Sequence, residues 1–443
     1  MKAFKKGFLL IVVLLLSMTF LLAACNSDAA NSSEIELTWL VRSDPAVSKW
    51  YDEMVEGFEA ENPHIKVNLQ LVPQDEIDQR LTTMIASRNV PDVWSPNWSN
   101  SGFATYNNMD ALLDLTEFLE RDPKVLEGIP ENIADIYNVD GGTYGIPMSN
   151  TTSLLFYNKD LFDEAGVEYP PIDWDDTSWD WDAMVEKAKQ LTKDIGDPNN
   201  QVFGVINEQP PTRSAWVFGG DFFSEESYET GKIDELKILS DPNNKKSIQA
   251  IYDLIYEHKV SPNPSQLDAV SQIGNPFMTG RVAMNIGGGW GFRNYIEADF
   301  RWGVAAIPFG PDGTREIPVY ADPWTISKDS KHPEESWELI KYLTNPEYGG
   351  KRYAEIAMSY PANLDIADVW YDATTSLAEI SKEELSEAYE GSVRYGRPTD
   401  NHLIEGFSVI LNTINQTMDS IYSGNIEIDK GLETIEQNLR ALD

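Results

Sequence analysis

This 443-residue chain contains thirteen tryptophans, many of them at positions predicted to be loops. A flat apolar ring with a polar edge suits a sugar, whose C–H faces stack on the ring while its hydroxyls meet nearby donors and acceptors. Trp290 follows Gly287, Gly288 and Gly289 at a predicted strand-to-helix turn, where glycine allows close backbone approach. We therefore predict that Trp290 contacts a ligand; the alternative is a position in the core.

Charged residues near the predicted strand ends could supply the polar contacts. Arg42 and Asp44 follow the first predicted strand, where an Arg–Asp pair would either bind hydroxyls bidentately or brace the loop. Asp322 precedes Pro323 and is either an acceptor for paired hydroxyls or a turn residue. Trp324 follows Asp322 by two residues and is a candidate with it. Trp39, Trp216 and Arg397 are further candidates, with a core position as the alternative for Trp39.

The sequence lacks patterns typical of catalysis, metal binding or cofactor binding. The four histidines are far apart, and none has a metal-site spacing. The glycine clusters lack the lysine of a phosphate-binding loop. The acidic run at 173–182 lacks the spacing of an EF-hand, so we predict a solvated helix entry there. We predict no catalytic residue, no metal ligand and no cofactor.

The first 33 residues have the composition of a targeting segment. Three lysines precede an apolar run at 8–16, and the run ends in Leu-Ala-Ala-Cys at Cys25. This arrangement is typical of a secretory signal, and its end resembles the bacterial lipobox, in which the cysteine carries a lipid. We predict a signal peptide at 1–24 and a flexible tether at 25–33, with lipid attachment at Cys25. The alternative is a chance cysteine in an ordinary signal.

The chain is strongly acidic, with a formal net charge of −38. Such a charge disfavours nucleic acids and anionic polymers as the main ligand. It fits a neutral or cationic ligand, or a surface adapted to an alkaline or salty medium. The acidic residues are spread along the chain, which favours the second explanation. Cys25 is the only cysteine, so an internal disulfide is excluded.

Alternating and helical periodicities predict an α/β fold. Strands are predicted at 35–42 and 65–72 and from residue 91, with amphipathic helices between them. This order is typical of a mostly parallel sheet covered by helices, in which ligands lie beyond the carboxyl ends of the strands. The loops of interest are therefore 43–46 and 95–100.

A polar break at 149–152 separates two predicted strands, although the flanking segments are strongly apolar. We interpret this break as the point where the chain leaves one domain and enters another. A second α/β region follows, and helix dominates the sequence after residue 361.

Several short motifs are distributed along the whole chain. They occur at 58–63, 91–93, 144–147 with 157–162, 277–284 with 287–290, 304–308, and 330–334 with 342–344. Together and in this order, they resemble the extracellular solute-binding proteins of bacterial ABC importers, in the family that includes maltose-binding protein.

The resemblance implies a periplasmic-binding-protein-like fold of two α/β lobes with a multi-crossing hinge and a ligand cleft between the lobes. It places crossings at about 149–152, at about 318–322 and after Tyr360. The expected N-terminal lobe comprises 34–148 and 320–360, and the expected C-terminal lobe comprises 150–318 and 361–443.

The resemblance also implies which residues lie in the cleft. The family places aromatic ligand contacts at the motifs carrying Trp290 and Trp98. Asn150 and Tyr157, at the first crossing, become candidates for the cleft floor. A C-terminal aromatic contact would correspond to Tyr395 or Phe407.

The implied function is an ABC-transporter receptor that captures a sugar, in particular an oligosaccharide, and is not an enzyme. The expected partners are the sugar, the ABC permease subunits and, through the N-terminal lipid, the extracellular face of the bacterial cytoplasmic membrane. We expect a monomer that binds no nucleic acid. The alternatives are a receptor of the same fold for a polyamine, phosphonate or peptide, and a secreted glycoside hydrolase.

Overall fold

The computed structural model describes residues 34–197, 200–376 and 380–442, so Cys25 and the predicted signal and tether lie outside the described residues. The described chain forms two lobes, each built around its own β-sheet. The strands are β1 (Ile35–Arg42), β2 (Ile65–Val72), β3 (Val93–Trp94), β4 (Asn138–Val139), β5 (Gly142–Thr143), β6 (Ile146–Pro147), β7 (Thr151–Asn158), β8 (Phe203–Asn207), β9 (Val282–Gly288), β10 (Trp302–Ala305), β11 (Ile317–Tyr320), β12 (Pro323–Ile326) and β13 (Gly396–Pro398).

Helices cover both sheets and form most of the C-terminal tail. They are α1 (Ser48–Glu61), α2 (Ile77–Ala86), α3 (Gly102–Asn108), α4 (Thr116–Arg121), α5 (Glu131–Ala134), α6 (Lys159–Ala165), α7 (Trp181–Leu191), α8 (Pro211–Val217), α9 (Glu225–Thr230), α10 (Pro242–Tyr256), α11 (Pro264–Ser271), α12 (Gly291–Asn294), α13 (Pro333–Thr344), α14 (Gly349–Ile356), α15 (Ala367–Thr375), α16 (Lys382–Arg394), α17 (Asp400–Leu403), α18 (Phe407–Tyr422) and α19 (Ile428–Arg440).

The first lobe, called the N-lobe, has the strand order β2-β1-β3-β12-β6. As predicted, β1 runs parallel to β2 and β3. Helix α1 buries Trp50, Tyr51, Met54 and Phe58 against this sheet. Spacings of three and four residues, as from Tyr51 to Met54 and on to Phe58, place these side chains on one face of the helix. The expectation of a mostly parallel sheet holds only for these three strands: β12 is antiparallel to both β3 and β6, since it enters from the other lobe.

The second lobe, called the C-lobe, is organised around β7. Its sheet has the order β13-β11-β7-β9-β8, and β10 also pairs with β7. All but the first residue of β7 are buried, as expected for a central strand with both faces covered. A second apolar cluster of this lobe joins α18 and α19 to residues such as Phe222 and Ile248. The helical tail therefore belongs to the C-lobe core.

The chain crosses between the lobes at three adjacent segments, the third of them between Ala357 of the N-lobe cluster and Trp370 of the C-lobe cluster. β6 and β12 lie in the N-lobe sheet while β7 and β11 lie in the C-lobe sheet, so crossings fall at about 148–150 and 321–322. The Met148 N–H donates to the carbonyl of Asp322 (2.8 Å), and the Asn150 N–H donates to the carbonyl of Tyr360 (2.9 Å). Tyr320, expected in the N-lobe, pairs instead with Thr151 in the C-lobe sheet.

Candidate functional site

A cavity of about 470 Å³ lies between the two lobes, beside the crossings. Its volume is within the usual range for small-molecule sites, about 300–1,000 Å³. The N-lobe contributes loops that follow β1 and β3, as predicted from the parallel strands, and the C-lobe contributes the segments after β8 and β9. The lining residues used below are Arg42, Gln74, Asn97, Trp98, Arg213, Trp290, Arg293, Tyr320, Asp322, Asn401 and Phe407.

Trp290 presents the most open aromatic ring of this cavity, with 41 % of the residue exposed. It lies between the end of β9 and the start of α12. A Cβ atom at Gly288 would overlap the Trp290 indole, so only glycine fits under the ring. Tyr320 meets the ring edge-on, with centroids 5.0 Å apart and planes at 70°. The glycine turn therefore holds a flat apolar surface against the cavity.

Trp98 and Asp322 form part of the opposite wall. Trp98 is 4 % exposed and packs edge-on against Trp324, with centroids 5.1 Å apart. Burial raises the pKa of Asp322 to about 6, while the nearby Arg42 guanidinium and a hydrogen bond from Trp98 favour the ionised form. At pH 7 this carboxylate is mostly ionised, so it can accept hydrogen bonds from ligand hydroxyls.

Asp44 braces the loop and joins the lobes. One carboxylate oxygen accepts from the Ala46 N–H (3.0 Å). The other contacts Arg42 at 3.3 Å and, across the cleft, Arg293 at 3.1 Å. Of the two roles predicted for the Arg42–Asp44 pair, the geometry favours bracing for Asp44, whereas Arg42 also lines the cavity.

The match to known families covers most of the chain. Residues 43–350 match the family described as bacterial extracellular solute-binding protein. The chain belongs to this family. This confirms the family inferred from the sequence motifs, and it places the solute-binding protein among proteins that act outside the cytoplasm.

Two relatives show the extent of the similarity. The solute-binding protein is 25% identical over 418 residues to a maltodextrin-binding protein of Bacillus subtilis, covering 90% of this chain and 88% of the relative. It is 27% identical to an ABC substrate-binding protein of Listeria monocytogenes solved in complex with cycloalternan. That structure has a TM-score of 0.76 and covers 93% of this chain and 99% of the other.

A maltose-bound protein of T. maritima is 21% identical, with a TM-score of 0.72 and coverage of 92% of this chain and 100% of the other. At this identity, the likeness supports the fold alone. The expected fold of two α/β lobes with an interlobe cleft is confirmed by these structural matches together with the observed sheets.

Two predicted contacts, Trp39 and Trp324, lie in the N-lobe core instead of the cleft. Both are completely buried. Their rings are 5.5 Å apart, and Trp50 packs against both. Each lies in a strand between covered faces, and Trp98 separates Trp324 from the cavity. We correct these two assignments to structural positions.

The C-lobe candidates Trp216, Arg397 and Tyr157 also lie away from the cavity. Trp216 is 1 % exposed beneath the Arg397 guanidinium, which is 4.2 Å from the ring centroid. Arg397 is paired with Asp221 at 3.1 Å and Glu316 at 3.0 Å. Tyr157, near the far end of β7, packs on the ring of Phe162. These side chains stabilise the C-lobe.

Asn150 lies at the first crossing, but it is only 1 % exposed. The Tyr389 hydroxyl donates to its carbonyl, so the segment is fixed to helix α16. Its neighbour Thr151 lines the cavity. Of the two C-terminal aromatic candidates, Phe407 lines the cavity, whereas Tyr395 stacks on Trp174 elsewhere.

The fold also brings Arg213, Tyr320 and Arg293 to the cavity, and none of these was predicted from the sequence. Tyr320 precedes Asp322 by two residues at a predicted crossing, so strand alternation there could have identified it. Arg213 and Arg293 had no comparable signal, because distant segments of the chain determine their surroundings.

The acidic run at 173–182 makes local turn and cap contacts. Asp180 accepts from the Ala183 N–H (2.9 Å) at the start of α7, and Asp176 accepts from the Ser178 N–H (2.9 Å). This matches the predicted helix entry. Within the described ranges, no group of three or more His, Cys, Asp or Glu residues is placed to hold a metal. None of the helices described has both the length and the apolar character needed to cross a bilayer.

Proposed function

We propose that the protein captures an oligosaccharide in the interlobe cleft and delivers it to an ABC permease. The observation that carries this proposal is the open Trp290 ring facing a wall of hydrogen-bonding side chains across the cavity. The names of the relatives support the ligand class: one binds maltodextrin, and one was solved with cycloalternan. The cavity mixes apolar and polar surface, as sugar recognition requires.

Lobe closure is the mechanism. A ligand shifts an open–closed equilibrium only if it binds the closed form better. Trp290 lies on the C-lobe and Arg42 on the N-lobe, so one sugar can contact both only when the lobes are closed. Arg42 supplies hydrogen-bond donors on the N-lobe wall of the cavity. No covalent step is required.

The N-terminal segment supplies the proposed location. A lipid on Cys25 would hold the receptor at the extracellular face of the cytoplasmic membrane, beside its permease. Cys25→Ser should release the protein from the membrane fraction of an expressing cell into the medium. Retention of this variant in the membrane fraction would exclude the lipid anchor.

Calorimetry of the purified protein tests the ligand class. The panel contains linear and cyclic glucose oligosaccharides, mannose and arabinose oligosaccharides, a polyamine, a phosphonate and a peptide. We expect binding by at least one oligosaccharide and its recovery unmodified after long incubation. Binding by the polyamine alone would overturn the sugar assignment, and steady cleavage of the sugar would indicate a hydrolase.

Trp290→Ala tests the site. Loss of the stacking surface should weaken oligosaccharide binding by about tenfold or more, equivalent to about 1.4 kcal/mol. Tyr348→Ala is a matched control, because it also removes an exposed aromatic ring, but one outside the cavity lining. Equal affinity of the two variants, measured by calorimetry, would remove Trp290 from the binding site.

A further inference from the structure

Arg213 occupies an unusual position for a charged residue, buried in the C-lobe wall of the cavity with only 8 % of its side chain exposed. Its guanidinium contacts three partners. Nε donates to Asp400 Oδ1 at 2.7 Å, Nη1 donates to the Tyr320 hydroxyl at 3.1 Å, and Nη2 donates to Asn401 Oδ1 at 3.2 Å. The planar fork of donors therefore joins the second crossing to α17.

Asp400 is directed toward protein atoms and away from the cavity. It is completely buried, and its second oxygen accepts from the Thr212 hydroxyl at 2.5 Å. Asp400 does not line the cavity. Burying two opposite charges costs desolvation free energy, so a buried ion pair is weak evidence that its role is to stabilise the fold. The pair fixes the orientation of the guanidinium, because both carboxylate oxygens have partners.

Tyr320 transmits this orientation to the ligand-facing surface. Its hydroxyl accepts from Arg213 and donates to Gln209 Oε1 at 3.2 Å. The Arg213 guanidinium also lies 5.3 Å from the centre of the Tyr320 ring. On its other side, that ring meets Trp290 edge-on. Asp400, Arg213, Tyr320 and Trp290 thus form a continuous series of contacts from a buried carboxylate to the open indole.

We propose that Arg213 is a positioning residue: through Tyr320 it sets the angle at which Trp290 presents its face to a bound sugar. The Trp290 indole has Gly288 on one side and Tyr320 on another, so Tyr320 restricts rotation of the ring. This inference rests on the proposed function for its consequence in sugar binding, but the orientation of the ring can be measured without ligand.

A double-mutant cycle on the full protein tests the transmission. Tyr320→Phe removes the hydroxyl but keeps the ring, and should weaken oligosaccharide binding about three- to tenfold, the effect of one net hydrogen bond. In a Trp290→Ala background, the same change should weaken binding less than about twofold, because residues acting as a unit are not additive. Additive losses would overturn the proposal.

Arg213→Lys provides a second variant, since lysine keeps the charge beside Asp400 but cannot bond Asp400, Asn401 and Tyr320 in one plane. It should reproduce the Tyr320→Phe loss and the same non-additivity. Tyr169→Phe is the matched control: it also removes a tyrosine hydroxyl that makes a side-chain hydrogen bond, here to Asp163 at 2.8 Å, but outside the cavity. A loss as large in this control would show that the effect is not specific to the cavity.

Fluorine NMR of protein labelled with 5-fluorotryptophan separates this inference from the proposed function. The Trp290 resonance is assigned by its loss in Trp290→Ala. Without any ligand, it should shift or broaden in Tyr320→Phe and Arg213→Lys and stay unchanged in Tyr169→Phe. An unchanged resonance in the first two variants would refute the positioning role even if sugar binds. If no sugar binds the wild type, the proposed function fails and the resonance still decides the inference.

Discussion

At the scale of single residues, the buried histidine His402 is the polar group from which a pH dependence of stability can be predicted. It is 1 % exposed, and neither ring nitrogen has a hydrogen-bond partner among the described residues. Its ring is 6.3 Å from that of Tyr137 in the N-lobe. Burial lowers the pKa of His402 to about 3, and the positive charge of Arg213 acts in the same direction. The folded protein therefore holds a neutral histidine at the lobe interface.

This histidine should make stability depend on pH. Between the ordinary pKa of about 6.5 and the folded value, the unfolded chain binds a proton that the folded protein does not, so stability falls as pH falls. Lowering the pH from 7.5 to 5 should reduce the free energy of unfolding of the wild type by about 2 kcal/mol more than that of His402→Leu. Urea denaturation at both values measures this difference.

Asp322 titrates in the same window with the opposite sign. Because its folded pKa is raised to about 6, the folded protein takes up this proton first, and stability is gained as pH falls. Asp322 is present in both the wild type and His402→Leu, so its contribution cancels when the two proteins are compared. His64→Leu, at an exposed histidine, is the control and should show the wild-type pH dependence. If His402→Leu kept the pH dependence of the wild type, the prediction would be wrong.

At the scale of elements, helices α3 and α17 bring the lobes together. The Gly406 N–H, just after α17, donates to Thr105 Oγ1 of α3 at 3.0 Å. Asn108 Nδ2 donates to Glu405 Oε2 at 3.0 Å. A Cβ atom at Gly102, the first residue of α3, would overlap the carbonyl oxygen of Asn401. Close approach of the two lobes thus depends on glycine at this position.

Gly102→Ala should hinder closure while leaving each lobe folded. We expect oligosaccharide affinity to fall by about tenfold or more, because the closed form becomes less accessible. Ligand-induced compaction, measured by small-angle scattering, should decrease with it. Alanine at a positive φ also costs about 1–2 kcal/mol of stability, independent of closure.

Gly141→Ala is the matched control for this strain. Gly141 also has a positive φ, 84° against 72° at Gly102, but a Cβ atom there meets nothing within 4 Å. It should lose stability while keeping the affinity and the compaction of the wild type. If both glycine variants bound with wild-type affinity, contact between α3 and α17 would not control closure.

At the scale of the whole molecule, charge is the dominant feature. The sequence has 34 basic and 72 acidic residues, an excess of 38 acidic side chains. Exposed pairs such as Lys328–Asp110 each contribute at most about 1 kcal/mol. Repulsion among the excess carboxylates acts over a Debye length of about 30 Å at 0.01 M salt and about 3 Å at 1 M. Salt should therefore weaken the repulsion among the excess carboxylates more than it weakens the exposed ion pairs.

The melting temperature should rise with ionic strength at constant pH. Calorimetric scans between about 0.01 M and 1 M sodium chloride measure the change. Potassium chloride at the same ionic strength is the control, since screening is independent of which monovalent cation supplies it. A melting temperature that falls with salt would show that ion pairs contribute more to stability than repulsion removes.

Local patterns in the sequence were sufficient for the elements and for the family. Alternation at 65–72 predicted β2, and the spacing of apolar residues predicted the buried face of α1. The acidic run at 173–182 was predicted to be a helix entry, and helix α7 begins there at Trp181. These features depend on neighbours within a few residues, so they can be read from the chain. The position of Trp290 beside the cavity has the same origin, because its glycine turn is local; its contact with a ligand stays a prediction.

Tertiary structure alone determined which of the other aromatic and charged residues face the cavity. Trp216 and Trp324 lie near predicted turns or crossings much as Trp98 does, yet segments distant in sequence cover them. Arg213 reaches the cavity because Asp400, 187 residues away, fixes its guanidinium beside Tyr320. Burial and pairing depend on contacts between remote segments, and the local sequence does not encode those contacts in a form that spacing reveals.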